Sequence, residues 1–158
     1  MSGGNAPSRL GAIISVRSVS KIYRMGDVDV PALRDATLDV LDGEILIIVG
    51  PSGSGKSTLL NLVGGMDRPT RGIVRFLDQD ISGASDADLT LYRRMRVGFV
   101  FQFYNLIPTL TALENVQVAT EVVQAPLDPE EALAMVGLAD RGSHFPSQLS
   151  GGEQQRVA

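Results

Sequence analysis

A lysine and a hydroxyl residue set behind three glycines can hold a chain of phosphates. Gly50-Pro51-Ser52-Gly53-Ser54-Gly55-Lys56-Ser57 fits the spacing G-x-x-x-x-G-K-[ST] without deviation. Glycines let backbone N–H groups turn inward and approach phosphate oxygens closely. A helix that starts at Lys56 points its positive end at the same place. Lys56 would neutralise the β- and γ-phosphates, Ser57 would offer its hydroxyl to Mg²⁺, and Thr58 continues the first turn. A Gly/Ser-rich turn that binds nothing would have no use for the Lys-Ser pair. The segment predicts a nucleoside triphosphate site, a property shared by kinases, GTPases, motors and transporters.

A second string, Leu149-Ser150-Gly151-Gly152-Glu153-Gln154-Gln155, stands three residues from the last residue, Ala158. Ser150 and Glu153 have the spacing of a helix cap and the third helical residue of a capping box. Gly151 and Gly152 leave the amides of the first turn open, so an anion can dock there. An ordinary surface helix with a good cap satisfies S-x-x-E equally well.

The elements that must carry these motifs follow from apolar patterning. Ala12–Tyr23 alternates and predicts a strand, Met25–Asp29 a turn, and Ala36–Val40 a second strand that ends at Asp42-Gly43, a hairpin-type dipeptide. Glu44–Val49 contains Ile-Leu-Ile-Ile-Val, a run without polar alternation that predicts a strand covered on both faces. A helix is expected from Lys56 to about Gly64, a loop over Asp67–Gly72 and a strand over Ile73–Leu77. Asp86–Arg96 reads as a charged surface helix and Val97–Phe101 as another fully buried strand. After Gln102 the pattern turns to helices and loops: Leu113–Gln124, then a helix opened by Asp128 as cap, Pro129 in the first turn and Glu131 returning a bond, closed at Gly137.

Bulk properties narrow the class. The chain of 158 residues is 44% hydrophobic and 20% charged, the balance of an ordinary globular protein. A net charge of −4 without a basic tract gives no nucleic-acid footprint. Without cysteine there are no disulfides or thiolate metal sites, which fits a reducing compartment. The longest clean apolar run, Ile45–Val49, falls far short of the roughly 20 residues of a membrane span. Residues 1–10 read as a disordered tail, since Met1–Ser8 is Gly/Ser/Asn/Pro-rich and unlike a signal peptide. Any membrane role is therefore expected to run through a partner.

With both motifs in one chain, LSGGEQQRV at Leu149–Val157 downstream of Gly50–Ser57, the sequence resembles the ATP-binding cassette (ABC) ATPases of transporters. Pro31-Ala32-Leu33-Arg34, Gly64-Gly65, Phe99–Pro108 and Leu113-Glu114-Asn115-Val116 resemble the lipoprotein-release and macrolide-export group. The resemblance implies an α/β P-loop NTPase fold with an antiparallel β subdomain at the N-terminus. It divides residues 11–158 into a β subdomain plus P-loop core (11–101), a Q-loop and helical subdomain (102–149) and the start of the signature helix (150–158). Tyr23 takes the position of an aromatic stacked on adenine, and Gln102 that of the Q-loop glutamine, near Mg²⁺ or the attacking water. Ser150, Gly151, Gly152 and Glu153 would touch the γ-phosphate of an ATP held by a second, head-to-tail subunit. The implied partners are that subunit, in a homodimer, and an integral-membrane permease, with the chain cytoplasmic and peripheral at the inner face of the membrane.

The same resemblance implies parts that the chain does not show. No run of four apolar residues followed by Asp-Glu, the family's Mg²⁺ and catalytic pair, occurs. Val74-Arg75-Phe76-Leu77-Asp78 is interrupted by Arg75 and followed by Gln79. The single histidine, His144, precedes the signature instead of following a catalytic strand and reads as a loop residue. The chain thus reads as a cassette truncated at its C-terminal side, its outer strands missing, with grips for ATP but without the residues that cut it. Three rivals stay open: a P-loop kinase of small metabolites, an ABC-type head of a chromosome-maintenance ATPase, and a non-hydrolysing ATP-binding form.

Overall fold

The computed structural model describes residues 11–123 and 125–158. The chain forms two compact units, one ending at Arg93 and one beginning at Arg94. The expected N-terminal tail and Gln124, the last residue of one expected helix, lie outside the described residues.

The first unit is built on a long hairpin. β1 (Ala12–Met25) turns at Gly26-Asp27 and returns as β2 (Val28–Leu41), and the pairing runs from Met25 opposite Val28 to Ala12 opposite Leu41. Gly26 supplies the positive φ, 62°, that a tight two-residue turn needs. β3 (Arg71–Phe76) pairs with the other edge of β1 and continues into the short β4 (Gln79–Asp80), giving the antiparallel order β2-β1-β3-β4.

A bulge in β1 decides which side chains enter the core. Val16 pairs with Leu38 and Val19 with Ala36, so three residues on β1 span two on β2. Ser18 takes up the surplus at φ 47°. Val16 and Val19, which strict alternation would send to opposite faces, are both fully buried. The bulge also presses on β3. A Cβ on Gly72, at φ 85°, would stand 2.4 Å from the Ser18 carbonyl oxygen and 2.6 Å from that of Arg17. Only glycine fits there.

Helices close over this sheet. α1 (Lys56–Val63) buries Leu59 and Leu62, and α2 (Asp86–Arg96) buries Leu89 and Tyr92. Tyr92 lies 5.3 Å from Phe76 between ring centroids, and its hydroxyl donates to the Val63 carbonyl at the end of α1.

The second unit holds α3 (Ala112–Thr120), α4 (Pro129–Met135) and α5 (Gly151–Val157). Asp128 caps α4 as expected, accepting from the backbone N–H groups of Glu130 and Glu131. The helix ends where Gly137 turns to φ 73°. Leu138 N–H then reaches back to the Leu133 carbonyl and Gly137 N–H to that of Ala134, the paired bonds of a Schellman ending. Leu133 and Leu138, brought together by those bonds, are core residues of this unit with Ala112 and Leu149.

Several sequence expectations need correction. The second strand opens at Val28 rather than Ala36, because the hairpin turns directly after Met25. Asp42-Gly43 ends β2 but starts no hairpin. Glu131 meets Asp128 through its backbone N–H alone, and no capping box forms at this helix. α3 ends at Thr120, four residues before the expected end. Most telling, Glu44–Val49 and Val97–Phe101 form no strand. Ile45, Ile47, Val49 and Val100 are 75–90% exposed. An apolar run becomes a strand only when a neighbour takes up its backbone donors and acceptors, and no described segment pairs with either run.

Replacing Gly72 by alanine should lower stability by about 2–4 kcal/mol, the sum of left-handed strain and backbone overlap. Gly83, whose added Cβ would meet nothing within 4 Å, should tolerate alanine within about 0.5 kcal/mol. Urea unfolding midpoints of the two variants check the contrast.

Candidate functional site

The glycine-rich loop of the first unit runs from Gly50 into α1. Its backbone turns at Gly53, φ 78°, and at Gly55, φ 89°, the residue that caps α1. Successive amides in such turns converge on one point and make a concave anion-binding nest. Gly55 has a second reason to be glycine: a Cβ there would lie 2.5 Å from the Ala32 carbonyl of β2 and 3.1 Å from Leu33 Cδ1. A Cβ on Gly50 would meet Ser54 Oγ at 2.7 Å. The loop is therefore seated against a strand and folded tightly on itself.

Lys56 curls over this loop. Its ammonium donates to the carbonyls of Gly50, at 2.8 Å, and Pro51, at 2.7 Å. A cation held above converging amides is what a triphosphate requires. Pro51, Ser52, Gly53, Ser54 and Ser57 are exposed around it. α1 has no acidic residue in its first turn to compete with an anion at its N-terminus. Among the described residues no cluster of acids, histidines or cysteines could cage a metal ion. The single hydroxyl of Ser57 suits Mg²⁺ that arrives on phosphates and keeps its waters, because Mg²⁺ is seldom held by an all-protein cage.

Tyr23, near the end of β1, is tied into a polar cluster. Its hydroxyl donates to Asp67 Oδ2 at 2.8 Å, and Lys21 donates to Asp67 Oδ1 at 2.6 Å. The Lys21 ammonium also lies 4.9 Å from the centre of the Tyr23 ring, a cation–π distance. Partial burial, then the hydrogen bond to the Asp67 carboxylate, raise the phenol pKa. For Asp67, burial alone would push the carboxyl up, but bonds from Lys21, Tyr23 and the Arg68 N–H outweigh it and hold it below the usual range. Sequence reading placed Tyr23 at this edge but missed Lys21 and Asp67. They stand in β1 itself and in the expected 67–72 loop, with no local motif to mark them.

In the second unit Gln102 is exposed on a turn. Tyr104 and Asn105 follow at φ 60° and 53°, two left-handed residues in succession. Asn115 then fastens the end of this loop, accepting from Ile107 N–H and donating to the carbonyls of Ile107, Leu110 and Thr111. α3 begins with a capping box of Thr111 and Glu114, a T-x-x-E spacing legible in the sequence but passed over. A cleft of about 940 Å³ between α3 and α4 includes Glu114, Glu130, Glu131 and Asp140 in its lining. That acidity suits no phosphate.

Ser150 and Glu153 form the expected capping box at α5. Ser150 Oγ and N–H both approach Glu153 Oε2, at 2.7 and 2.8 Å, and Arg141 Nε donates to Oε1 at 3.1 Å. These bonds, those from Ser150 foremost, bring the Glu153 carboxyl down to about 2. Gly151 and Gly152 are exposed, and a Cβ on Gly151 would meet nothing within 4 Å. His144 sits in the loop before this helix, its backbone bonded to Ala112 and Arg141 and its Nδ1 without a partner.

With these geometries in view, comparison with known proteins is direct. Residues 33–158 match the family model described as ABC transporter. An uncharacterised ABC transporter ATP-binding protein of Thermotoga maritima is 48% identical over 151 residues, 92% of this chain and 64% of the relative. The lipoprotein-releasing system ATP-binding protein LolD of Geobacter metallireducens is 44% identical over 154 residues, 94% of this chain and 68% of its own length. Among solved structures, the dimeric post-hydrolysis state of the ATP-binding cassette MJ0796, bound to ADP and Pi, superposes with a TM-score of 0.81 at 42% identity. That match covers 91% of this chain and 66% of the other. The chain belongs to the ABC transporter family, as an ATP-binding cassette with a P-loop NTPase fold. It spans 64–68% of the length of these relatives. The small-metabolite kinase reading is set aside by this match. No helix among the described residues is long and apolar enough to cross a membrane.

Because the folded pKa of Glu153 lies below its ordinary 4.5, its contribution to stability is complete above pH 4.5 and is lost as pH falls through about 2. A carboxyl NMR titration should find its midpoint near the lower value. Ser150→Ala should move that midpoint up further than Arg141→Ala, since the serine bonds act most strongly.

Proposed function

We propose that this chain supplies the ATP-gripping part of a transporter ATPase in which two cassettes meet head to tail. The observation that carries the reading is the loop at Gly50–Ser57: left-handed turns at Gly53 and Gly55, with the Lys56 ammonium held on the carbonyls of Gly50 and Pro51 where the loop opens onto α1. Gly50, Pro51, Ser52, Gly53, Ser54 and Gly55 wrap the phosphates, Lys56 neutralises them and Thr58 extends the first turn beneath them. Ser57 offers its hydroxyl to the Mg²⁺ that accompanies ATP, where the ion would offset phosphate charge, and Gln102 of the second unit is the other candidate contact for that ion. Tyr23 offers its ring to adenine.

The box at Ser150–Glu153 serves a partner's nucleotide in this reading. Gly151 and Gly152 leave room for a terminal phosphate, Glu153 holds the turn in shape, and Ser150 can exchange its bond to Glu153 for one to phosphate. An interaction that exists only while the γ-phosphate is present lets ATP close a dimer and lets its loss reopen it. Motion would pass to an integral-membrane permease through the 102–108 loop. The likeness to LolD favours release or export of a lipophilic cargo, with the cassette at the cytoplasmic face of the membrane.

Cutting ATP is a separate matter. No Asp-Glu pair follows an apolar strand in these 158 residues, and His144 lies ahead of the signature. The 158-residue chain by itself is therefore expected to bind Mg-ATP only weakly and to turn it over negligibly.

Calorimetry with Mg-ATP tests both halves. Lys56→Ala should weaken binding roughly tenfold to a hundredfold, the value of one or two charge-assisted hydrogen bonds. Equal affinity in the variant, or no ATP binding by the parent chain, would overturn the site. Phosphate release by the parent chain at the rate of complete cassettes, abolished by Lys56→Ala, would overturn the division between gripping and cutting.

A further inference from the structure

Asp67 is the hub of a cluster that the phosphate loop does not need. One oxygen accepts from Tyr23 Oη, while the other accepts from Lys21 Nζ and from the Arg68 N–H at 2.7 Å. Lys21 uses a further proton on the Arg68 carbonyl, at 2.7 Å. Asp67 is itself pinned to the end of α1, where its N–H and that of Met66 both reach the Asn61 carbonyl. Thr58, in the first turn of α1, faces the same phenol. The Tyr23 ring is thus fastened by its hydroxyl edge to the helix that begins at the phosphate loop, and Lys21 lies over one face. It still keeps 37% of its surface exposed.

We propose that Asp67 is a positioning residue for base recognition: it holds the Tyr23 ring at a fixed place relative to α1, so that phosphates and base are gripped in one register. This rests on the reading of Tyr23 as the base platform. An exposed tyrosine free to rotate must be immobilised when a base stacks on it, and that ordering weakens binding. Asp67 and Lys21 complete the ordering in advance. The cluster acts on the base alone, because none of its bonds reaches Gly50–Ser57.

The test compares Mg-ATP with Mg-tripolyphosphate, which carries the phosphates but no base. Tyr23→Phe keeps the ring and removes the anchor; Asp67→Ala removes the anchor's partner. Each should weaken ATP by about two- to tenfold, the range for one side chain ordered on binding, and leave tripolyphosphate unchanged. The double variant should be no weaker than Asp67→Ala alone, since the bond from Tyr23 to Asp67 is already absent there. Equal weakening of both ligands by Tyr23→Phe would overturn the proposal, because Asp67 would then support the loop as a whole. So would unchanged ATP binding in Tyr23→Phe and Asp67→Ala while Tyr23→Ala weakens it. Unchanged ATP binding in Tyr23→Ala would instead remove the base platform itself, and the proposal with it. Should Asp67→Ala fail to fold, Tyr23→Phe decides alone, with tripolyphosphate affinity as the measure of an intact loop.

Discussion

The site depends on one close approach, that of Gly55 to the carbonyl of Ala32. No side-chain carbon fits in the gap, so the loop and β2 touch backbone to backbone. That contact fixes where α1 starts, and with it the direction in which its first amides point. Lys56 is the next residue. A loop displaced by the size of a methyl group would move the ammonium and the amides away from a common centre. The hairpin is thus more than a lid on the core: it is the wall against which the phosphate loop takes its shape.

The charges around the two motifs are arranged differently. Lys56 is held by neutral carbonyls, which a phosphate oxygen can replace with stronger, charge-assisted bonds. Glu153 is held by Ser150 and Arg141 together, and its carboxyl is driven to about 2. One group is lightly committed and ready to change partners. The other is bound firmly enough to keep its turn in shape at any physiological pH.

The legible and illegible parts of the sequence separate along physical lines. The glycine-rich loop, the Asp128 cap, the Ser150–Glu153 box and the bounds of α2 follow from residues within a few positions of each other, and each appears as expected. Glu44–Val49 and Val97–Phe101 do not, because a strand depends on a partner elsewhere in the chain that a local run cannot reveal. The same holds for the bulge at Ser18, which let Val16 and Val19 share a face. Lys21 and Asp67 belong to this class as well: ordinary charged residues 46 positions apart, meaningful only once β1 and the end of α1 are neighbours.

The left-handed pair after Gln102 stores energy in the backbone. Asparagine tolerates that region because its short side chain can bond locally, whereas tyrosine gains no such relief. Holding Tyr104 and Asn105 there costs on the order of 1–3 kcal/mol for each strained residue. Asn115 clamps the far end of the same loop with four hydrogen bonds. The segment therefore resembles a bent spring. The Gln102 side is closed by a bond from Tyr104 N–H to the Phe101 carbonyl at 3.2 Å, so relaxing Tyr104 would return part of the strain only at the cost of that bond.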